Sequence, residues 1–188
     1  MKINAGNLKK GDFIYQQNEI WQVVKAEFYS PGKGSALMKS RIKNMLTGKN
    51  VDYTYKSNEQ VETVEVESIE MQYLYKDSEN LYFMNERTYN QYIVPIGLVG
   101  EAANFIKEGD KIFVYLHDDK PLNVRPPMSV RLKVIETDDS VKGDTATSAK
   151  KPATVETGVI VMVPLFVNKN ETIVVNPETG QYVERVKS

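Results

Sequence analysis

The amino-acid sequence predicts an all-β protein built from three small β-barrels. Three observations lead there. Short runs rich in β-branched and aromatic residues recur from Phe13 to Val186 with turn residues between them, the rhythm of an all-β chain. Only one stretch departs from that rhythm toward a helical period. Two joints divide the 188 residues into lengths of 63, 63 and 62, each the size of one SH3-like or OB-type barrel.

The first piece, residues 1–63, carries strand-like runs at Phe13–Gln16, Ile20–Tyr29, Ala36–Leu46 and Val51–Tyr55. Ile20, Val23, Val24 and Phe28 around Trp21 suit one long, partly buried strand. A run at Val61–Val66 crosses the first joint, Thr63–Val64, where an acidic stretch with Glu65, Glu67 and Glu70 begins. The second piece, 64–126, adds Met71–Tyr75 and Leu81–Asn85, then Lys111–His117 and Leu122–Val124. Between them Leu98, Ala102, Phe105 and Ile106 fall near helical spacing, so Ile96–Lys107 is expected to hold one short helix, opened by Pro95 and closed before Gly109. Its Gly97 and Gly100 weaken it. The second joint is Arg125-Pro126-Pro127, where two prolines stiffen the backbone and withhold two N–H donors. The third piece, 127–188, is expected to hold strands at Val130–Thr137, Val155–Pro164, Thr172–Val175 and Tyr182–Val186, with an exposed polar loop at Lys142–Pro152.

Composition narrows the chemistry. No cysteine is present, which removes disulfides, thiol catalysis and Cys-ligated metals, and a single histidine, His117, rules out a His-rich site. His117-Asp118-Asp119, followed by Lys120-Pro121, reads as a hydrated hairpin turn; no metal and no cofactor are expected. No apolar run approaches the roughly 18–20 residues that span a bilayer, and the N-terminal residues lack a signal-peptide core. A soluble cytoplasmic protein without a membrane partner is expected. No nucleophile, base and oxyanion donor assemble in the sequence, so the chain is not expected to be an enzyme.

The 24 Lys and Arg against 25 Asp and Glu give a net charge of −1, which argues against nucleic acid as a partner. The distribution argues otherwise. Residues 1–63 carry 10 basic against 6 acidic side chains, residues 64–126 carry 6 against 11, and residues 127–188 carry 8 against 8. Between Phe28 and Val51 stand Lys33, Lys39, Arg41, Lys43 and Lys49 with no acid at all.

The sharpest local feature is Ser30-Pro31-Gly32-Lys33-Gly34-Ser35-Ala36, set between two long strand-like runs. Pro31 fixes one torsion, and Gly32 and Gly34 open conformations closed to residues with a Cβ, so the segment suits a hairpin tip that projects Lys33. A solvated lysine in an ordinary turn fits the heptad as well. Lys39, Arg41 and Lys43 then alternate, so they share one strand face, which is either a phosphate-tracking surface or a plain solvated face. A nucleotide-binding loop is the other reading of Gly32-Lys33, and it fails. The leading glycine position is Glu27, the residue after Lys33 is Gly34 where a hydroxyl is needed, and no helix pattern comes next. Tyr73, Tyr75, Tyr82, Tyr89 and Tyr92 suit cross-strand packing better than base stacking. The Asn170-Glu171-Thr172 sequon carries no meaning without secretion.

Taken together these residues resemble the bacterial elongation factor P family over the full length of the chain. Pro31–Ala36 is similar to the family's Pro-Gly-Lys-Gly-x-Ala tip, and Arg41–Gly48 to its basic strand and Leu-Thr-Gly. Tyr73–Tyr75, Phe83-Met84 and Thr88-Tyr89 match its central pattern. The most specific likeness is at the C-terminal end, in Lys151–Gly158, Val163–Phe166 and Thr179–Tyr182, closing on Arg185. Departures are Ser78 and Asn170 at family glycines, and Asn176-Pro177 in place of a usual Asp-Thr.

The resemblance implies an L-shaped arrangement of an N-terminal SH3-like (KOW-like) barrel and two OB-fold barrels. It implies a monomeric translation factor bound to both ribosomal subunits between the peptidyl-tRNA and exit sites, positioning peptidyl-tRNA and relieving stalls at consecutive prolines. Lys33 would then reach the CCA end of peptidyl-tRNA, after extension by a separate modifying enzyme. Tyr182 and Arg185 would contact RNA, and Gly143, Asp144 and Thr145 would face the exit-site codon. Two alternatives remain: a paralogue with a different stall preference, or a general single-strand nucleic-acid-binding OB protein. Aromatic platforms on barrel faces would favour the latter, and the acidic middle piece counts against it.

Overall fold

The computed structural model describes residues 1–138 and 149–186. They form 16 strands, β1 to β16, in three antiparallel sheets, with a 3₁₀ turn at Ala5–Asn7 and one short helical segment after β9. By contacts the chain divides into two compact units, one of Met1–Ile69 with Val114–Asn123, the other of Glu70–Phe113 with the described residues from Val124 onward.

The first sheet takes β1 (Lys2–Asn4), β2 (Phe13–Gln16), β3 (Glu19–Tyr29), β4 (Leu37–Asn44), β5 (Asn50–Lys56) and β6 (Gln60–Thr63) in the order β1-β6-β2-β3-β4-β5. The Gly6 amide donates to the Ser57 carbonyl at 2.8 Å, tying the segment after β1 to the end of β5. Alternation sends Ile14, Trp21, Val23, Met38, Ile42, Tyr55 and Val61 to one side, where with Ala5 and Leu8 they make a dry core. Each such fully buried side chain stabilises the fold by about 1.5–3 kcal/mol. A second cluster in the same unit joins Ile20 and Met45 to Tyr115, and the buried Asn123 amide donates to the Met45 carbonyl at 2.8 Å.

The second sheet runs β11-β10-β7-β8-β9, from β7 (Glu67–Lys76), β8 (Asn80–Met84), β9 (Gln91–Pro95), β10 (Lys111–His117) and β11 (Lys120–Arg125). Met71, Tyr73, Leu81, Phe83 and Val94 are buried beneath it. The third runs β14-β13-β12-β15-β16, from β12 (Val130–Thr137), β13 (Lys150–Val155), β14 (Ile160–Pro164), β15 (Thr172–Asn176) and β16 (Gln181–Arg185). Its core of Val130, Leu132, Val134, Val155, Val163, Ile173 and Val175 is completed by Phe105, which arrives from the helical segment after β9.

The all-β expectation holds, with differences in detail. The expected helix is one α-turn, α1 (Ile96–Val99), continued by a 3₁₀ turn over Gly100–Asn104, because Gly100 sits at φ 67° and breaks the α ladder. The run Val155–Pro164 is the last residue of β13, a turn and then β14: the Gly158 amide donates to the Val155 carbonyl at 2.8 Å and turns the chain between the two strands. Of the loop expected over Lys142–Pro152, residues 142–148 lie outside the described residues, and Lys150, Lys151 and Pro152 belong to β13. Lys151 is buried there, its ammonium donating to the Asp138 carbonyl at 2.5 Å. Strand β1, three residues long, and β9, which runs directly into the helical stretch, were too short or too close to another signal to announce themselves. His117-Asp118-Asp119 is a hairpin turn as expected, with Asp118 and Asp119 both left-handed at φ 49° and 60°. Asn170 is left-handed too, at φ 70°, a conformation that asparagine tolerates better than most residues.

Candidate nucleic-acid interface

Strands β3 and β4 pair in a long hairpin from Trp21↔Asn44 to Tyr29↔Leu37, with a bulge between Val23 and Lys25. Ser30–Ala36 closes it, and the loop's return is fixed by the Ser57 amide donating to the Ala36 carbonyl at 2.9 Å. Gly34 sits at φ 105°, which requires glycine; Gly32 does not adopt a positive φ. Both glycines were expected to supply such a conformation, and Gly34 alone does. Lys33 is exposed and makes no ion pair or hydrogen bond with any described residue. The loop leads into the strand β4 and not into a helix, so the geometry of a nucleotide-binding loop is absent here.

Lys39 and Arg41 are exposed and Lys43 half-buried, while Met38, Ser40, Ile42 and Asn44 between and beside them are buried. The three cations therefore share the outer face. The register adds a feature that the sequence alone did not reveal. Lys39 lies opposite Glu27 and Arg41 opposite Asp52, the two acids that bracket the acid-free run. Arg41 grips Asp52 through two hydrogen bonds of 2.7 and 2.9 Å, and Lys25 takes Glu27 at 2.6 Å. The Arg41 hydrogen bond holds the Asp52 carboxyl below its ordinary range, and Lys25 does the same for Glu27. Lys39 is left without a carboxylate partner among the described residues; its ammonium stands 4.7 Å from the centre of the Tyr29 ring. Along this face Arg41 is paired with Asp52, while Lys39 toward the tip and Lys43 at the far end form no ion pair among the described residues.

Tyr182 and Arg185 lie on β16. Three residues apart, they would point to opposite faces of a regular strand. A bulge at Val183, opposite Val174 and Val175, restores them to one side: Tyr182 pairs with Val175 and Arg185 with Ile173. Tyr182 packs against the third core, and partial burial raises its phenol above the ordinary range. Arg185 lies over the Phe166 ring at 5.2 Å and pairs with Glu171 at 3.0 Å. Gly143, Asp144 and Thr145 lie outside the described residues.

The central tyrosines divide. Tyr73 is buried in the core, Tyr75 stacks on Tyr82 at 4.5 Å, and Tyr89 projects from the β8–β9 turn. Asn176 accepts from the Glu178 and Thr179 amides at 2.9 and 3.2 Å, so the unusual Asn176-Pro177 pair still builds the β15–β16 turn.

Three family profiles match the chain. "Elongation factor P (EF-P) KOW-like domain" covers residues 4–61, "Elongation factor P (EF-P) OB domain" residues 66–124 and "Elongation factor P, C-terminal" residues 130–185. Elongation factor P of Finegoldia magna is 41% identical over 184 residues, spanning 98% of this chain and all (100%) of that one. Its counterpart in Aquifex aeolicus is 39% identical over 186 residues, spanning 99% and 97%. Among solved structures, eukaryotic translation initiation factor 5A from Methanococcus jannaschii superposes with a TM-score of 0.54 at 17% identity, over 67% of this chain and 92% of that one, a likeness of fold. Identity at this level along nearly the whole length, on the KOW-like and OB sheets described above, means that the chain belongs to the elongation factor P family, whose members are translation factors and not enzymes.

Proposed function

We propose that this chain binds the ribosome between the peptidyl-tRNA and exit sites and holds peptidyl-tRNA for peptide-bond formation at consecutive prolines. It would act in the cytoplasm as a monomer of three modules, 1–63, 64–126 and 127–188, touching both subunits. The observation that carries the reading is Lys33, exposed, unpaired among the described residues and carried beyond the end of a long paired hairpin. A cation on a flexible stem suits a phosphate-lined cavity, and a modifying enzyme that lengthens the stem extends its reach. Pro31, Gly32 and Gly34 shape the tip. Lys39, Arg41 and Lys43, with Tyr182 and Arg185, serve RNA binding, and Gly143, Asp144 and Thr145 face the exit-site codon.

The mechanism is positioning. Proline is a poorly placed donor and acceptor in peptide transfer, and holding the reacting ends near their attack geometry recovers rate without new chemistry. The ribosome remains the catalyst. The test is Pro-Pro-Pro synthesis with the Lys33→Ala variant: an intact fold with lost rescue is expected, and full rescue by the variant defeats the proposal.

A further inference from the structure

We infer that Tyr29 is a stacking platform for an unpaired nucleotide at the foot of the Lys33 loop, with Lys39 as the adjoining phosphate contact. The inference rests on the ribosomal reading above and adds a positioning residue to it. Tyr29 ends β3, immediately before the loop, and its side chain is 49% exposed. Two other exposed aromatic residues of this sheet, Phe28 and Tyr53, have packing neighbours, and Tyr15 is exposed on β2, away from the loop. Phe28 lies against Gly6, its Cε2 3.6 Å from where a Cβ would stand there, and Tyr53 packs on Tyr55 at 4.4 Å. No other ring meets Tyr29 among the described residues. Its one specific neighbour is the Lys39 ammonium, 4.7 Å from the ring centre.

An exposed ring on a hairpin stem contributes little to the core; Lys39 covers one of its π-faces, and no described ring covers the other. Every nucleobase has such a face, so stacking there is tolerant of sequence but requires a base that is not already stacked in a duplex. Lys39 steadies the ring and forms no ion pair; Glu27 opposite it is held chiefly by Lys25 at 2.6 Å, with Lys39 a lesser influence on it. Farther along the face Arg41 is spent on Asp52. Lys33, the exposed Tyr29 ring and Lys39 therefore cluster at the tip end. That cluster fits the single-stranded 3′ end of an RNA and offers a duplex no base to stack.

The test uses the full chain and two RNA minihelices, one with an unpaired 3′ tail and one blunt. The tailed RNA is expected to shift the Tyr29 ring resonances, and the blunt RNA to leave them in place. In Pro-Pro-Pro synthesis on ribosomes, Tyr29→Leu is expected to slow the reaction by about tenfold and Tyr29→Phe to restore it. A Tyr29→Leu variant as fast as the parent, beside a slow Lys33→Ala, overturns the stacking role and leaves the ribosomal reading standing. Equal slowing by Leu and Phe overturns it in favour of the hydroxyl. If Lys33→Ala is also fast, the ribosomal reading falls, and absence of any shift with the tailed RNA then overturns the stacking role on its own.

Discussion

The Phe105 ring stands where a side chain on Gly180 would have to go: its Cζ lies 3.3 Å from the point a Cβ would occupy. Gly180 is also left-handed, at φ 66°, in the turn between β15 and β16. One aromatic side chain from beyond the broken helix thus completes the third core, and one glycine makes room for it.

Gly180→Ala meets both conditions at once. The left-handed conformation costs a residue with a Cβ about 1–2 kcal/mol, and crowding a packed ring adds roughly 1 kcal/mol or more. A loss of about 2–3 kcal/mol in denaturant-unfolding stability is expected. A variant as stable as the parent would show that the ring can move aside and the turn relax.

At the tip the two glycines flanking Lys33 are not equivalent. Gly34→Ala forces a Cβ onto a residue at φ 105°, whereas a Cβ on Gly32 meets nothing within 4 Å and no left-handed backbone. The loop lies outside the core, so both variants are expected to unfold near the parent's midpoint. Rescue of Pro-Pro-Pro synthesis is expected to fall severalfold for Gly34→Ala and to persist for Gly32→Ala. Equal activity of the two would mean that Lys33 does not depend on the backbone shape beneath it.

These contrasts separate local signals in the sequence from pairing events that it conceals. The strands β10 and β12 are bounded in the structure as their β-rich runs suggested, because periodicity and turn residues are local signals. Lys33 and the alternating Lys39, Arg41 and Lys43 were equally visible. The bulge that leaves Val183 of β16 unpaired opposite Val174 and Val175 turns Tyr182 and Arg185 to one side, and it is a pairing event that the alternation of β16 does not announce. The neutralisation of Arg41 was hidden for the same reason. Asp52 sits just past the acid-free run, and only register shows that it lies directly opposite. The separation of β13 from β14 had a local signal in Thr157-Gly158, masked by the apolar residues on either side.

The Arg41–Asp52 pair makes a prediction about salt and acid. Both groups are well exposed, so Asp52→Asn is expected to change folding stability little near neutral pH. It releases the guanidinium for phosphate, and the dependence of RNA affinity on salt should steepen by up to about one unit on logarithmic axes. The carboxyl is depressed in the fold by the Arg41 hydrogen bond, so its contribution is present above the ordinary carboxylate pKa and is lost as pH falls through the lowered value. Stability of the parent should therefore decline in that acid window by slightly more than stability of the variant. An unchanged salt slope would mean that Arg41 already reaches phosphate while paired.

Arg185 is the residue through which the third sheet can be tested without disturbing its core. Its guanidinium pairs with Glu171 at 3.0 Å and lies over the Phe166 ring, which is itself exposed. Removing an exposed side chain from a strand edge should leave the unfolding midpoint close to the parent's. Arg185→Ala is expected to weaken ribosome association severalfold. Arg185→Lys should recover only part of the loss, because an ammonium keeps the charge but not the planar fork or its stacking on a ring. Co-sedimentation with ribosomes at two salt concentrations separates the contributions: a charge contact fades in both variants as salt rises, and the difference between Lys and Arg persists. Association unaffected by Arg185→Ala would remove this residue from the RNA-binding surface and leave the Phe166 stack as a local feature of the barrel.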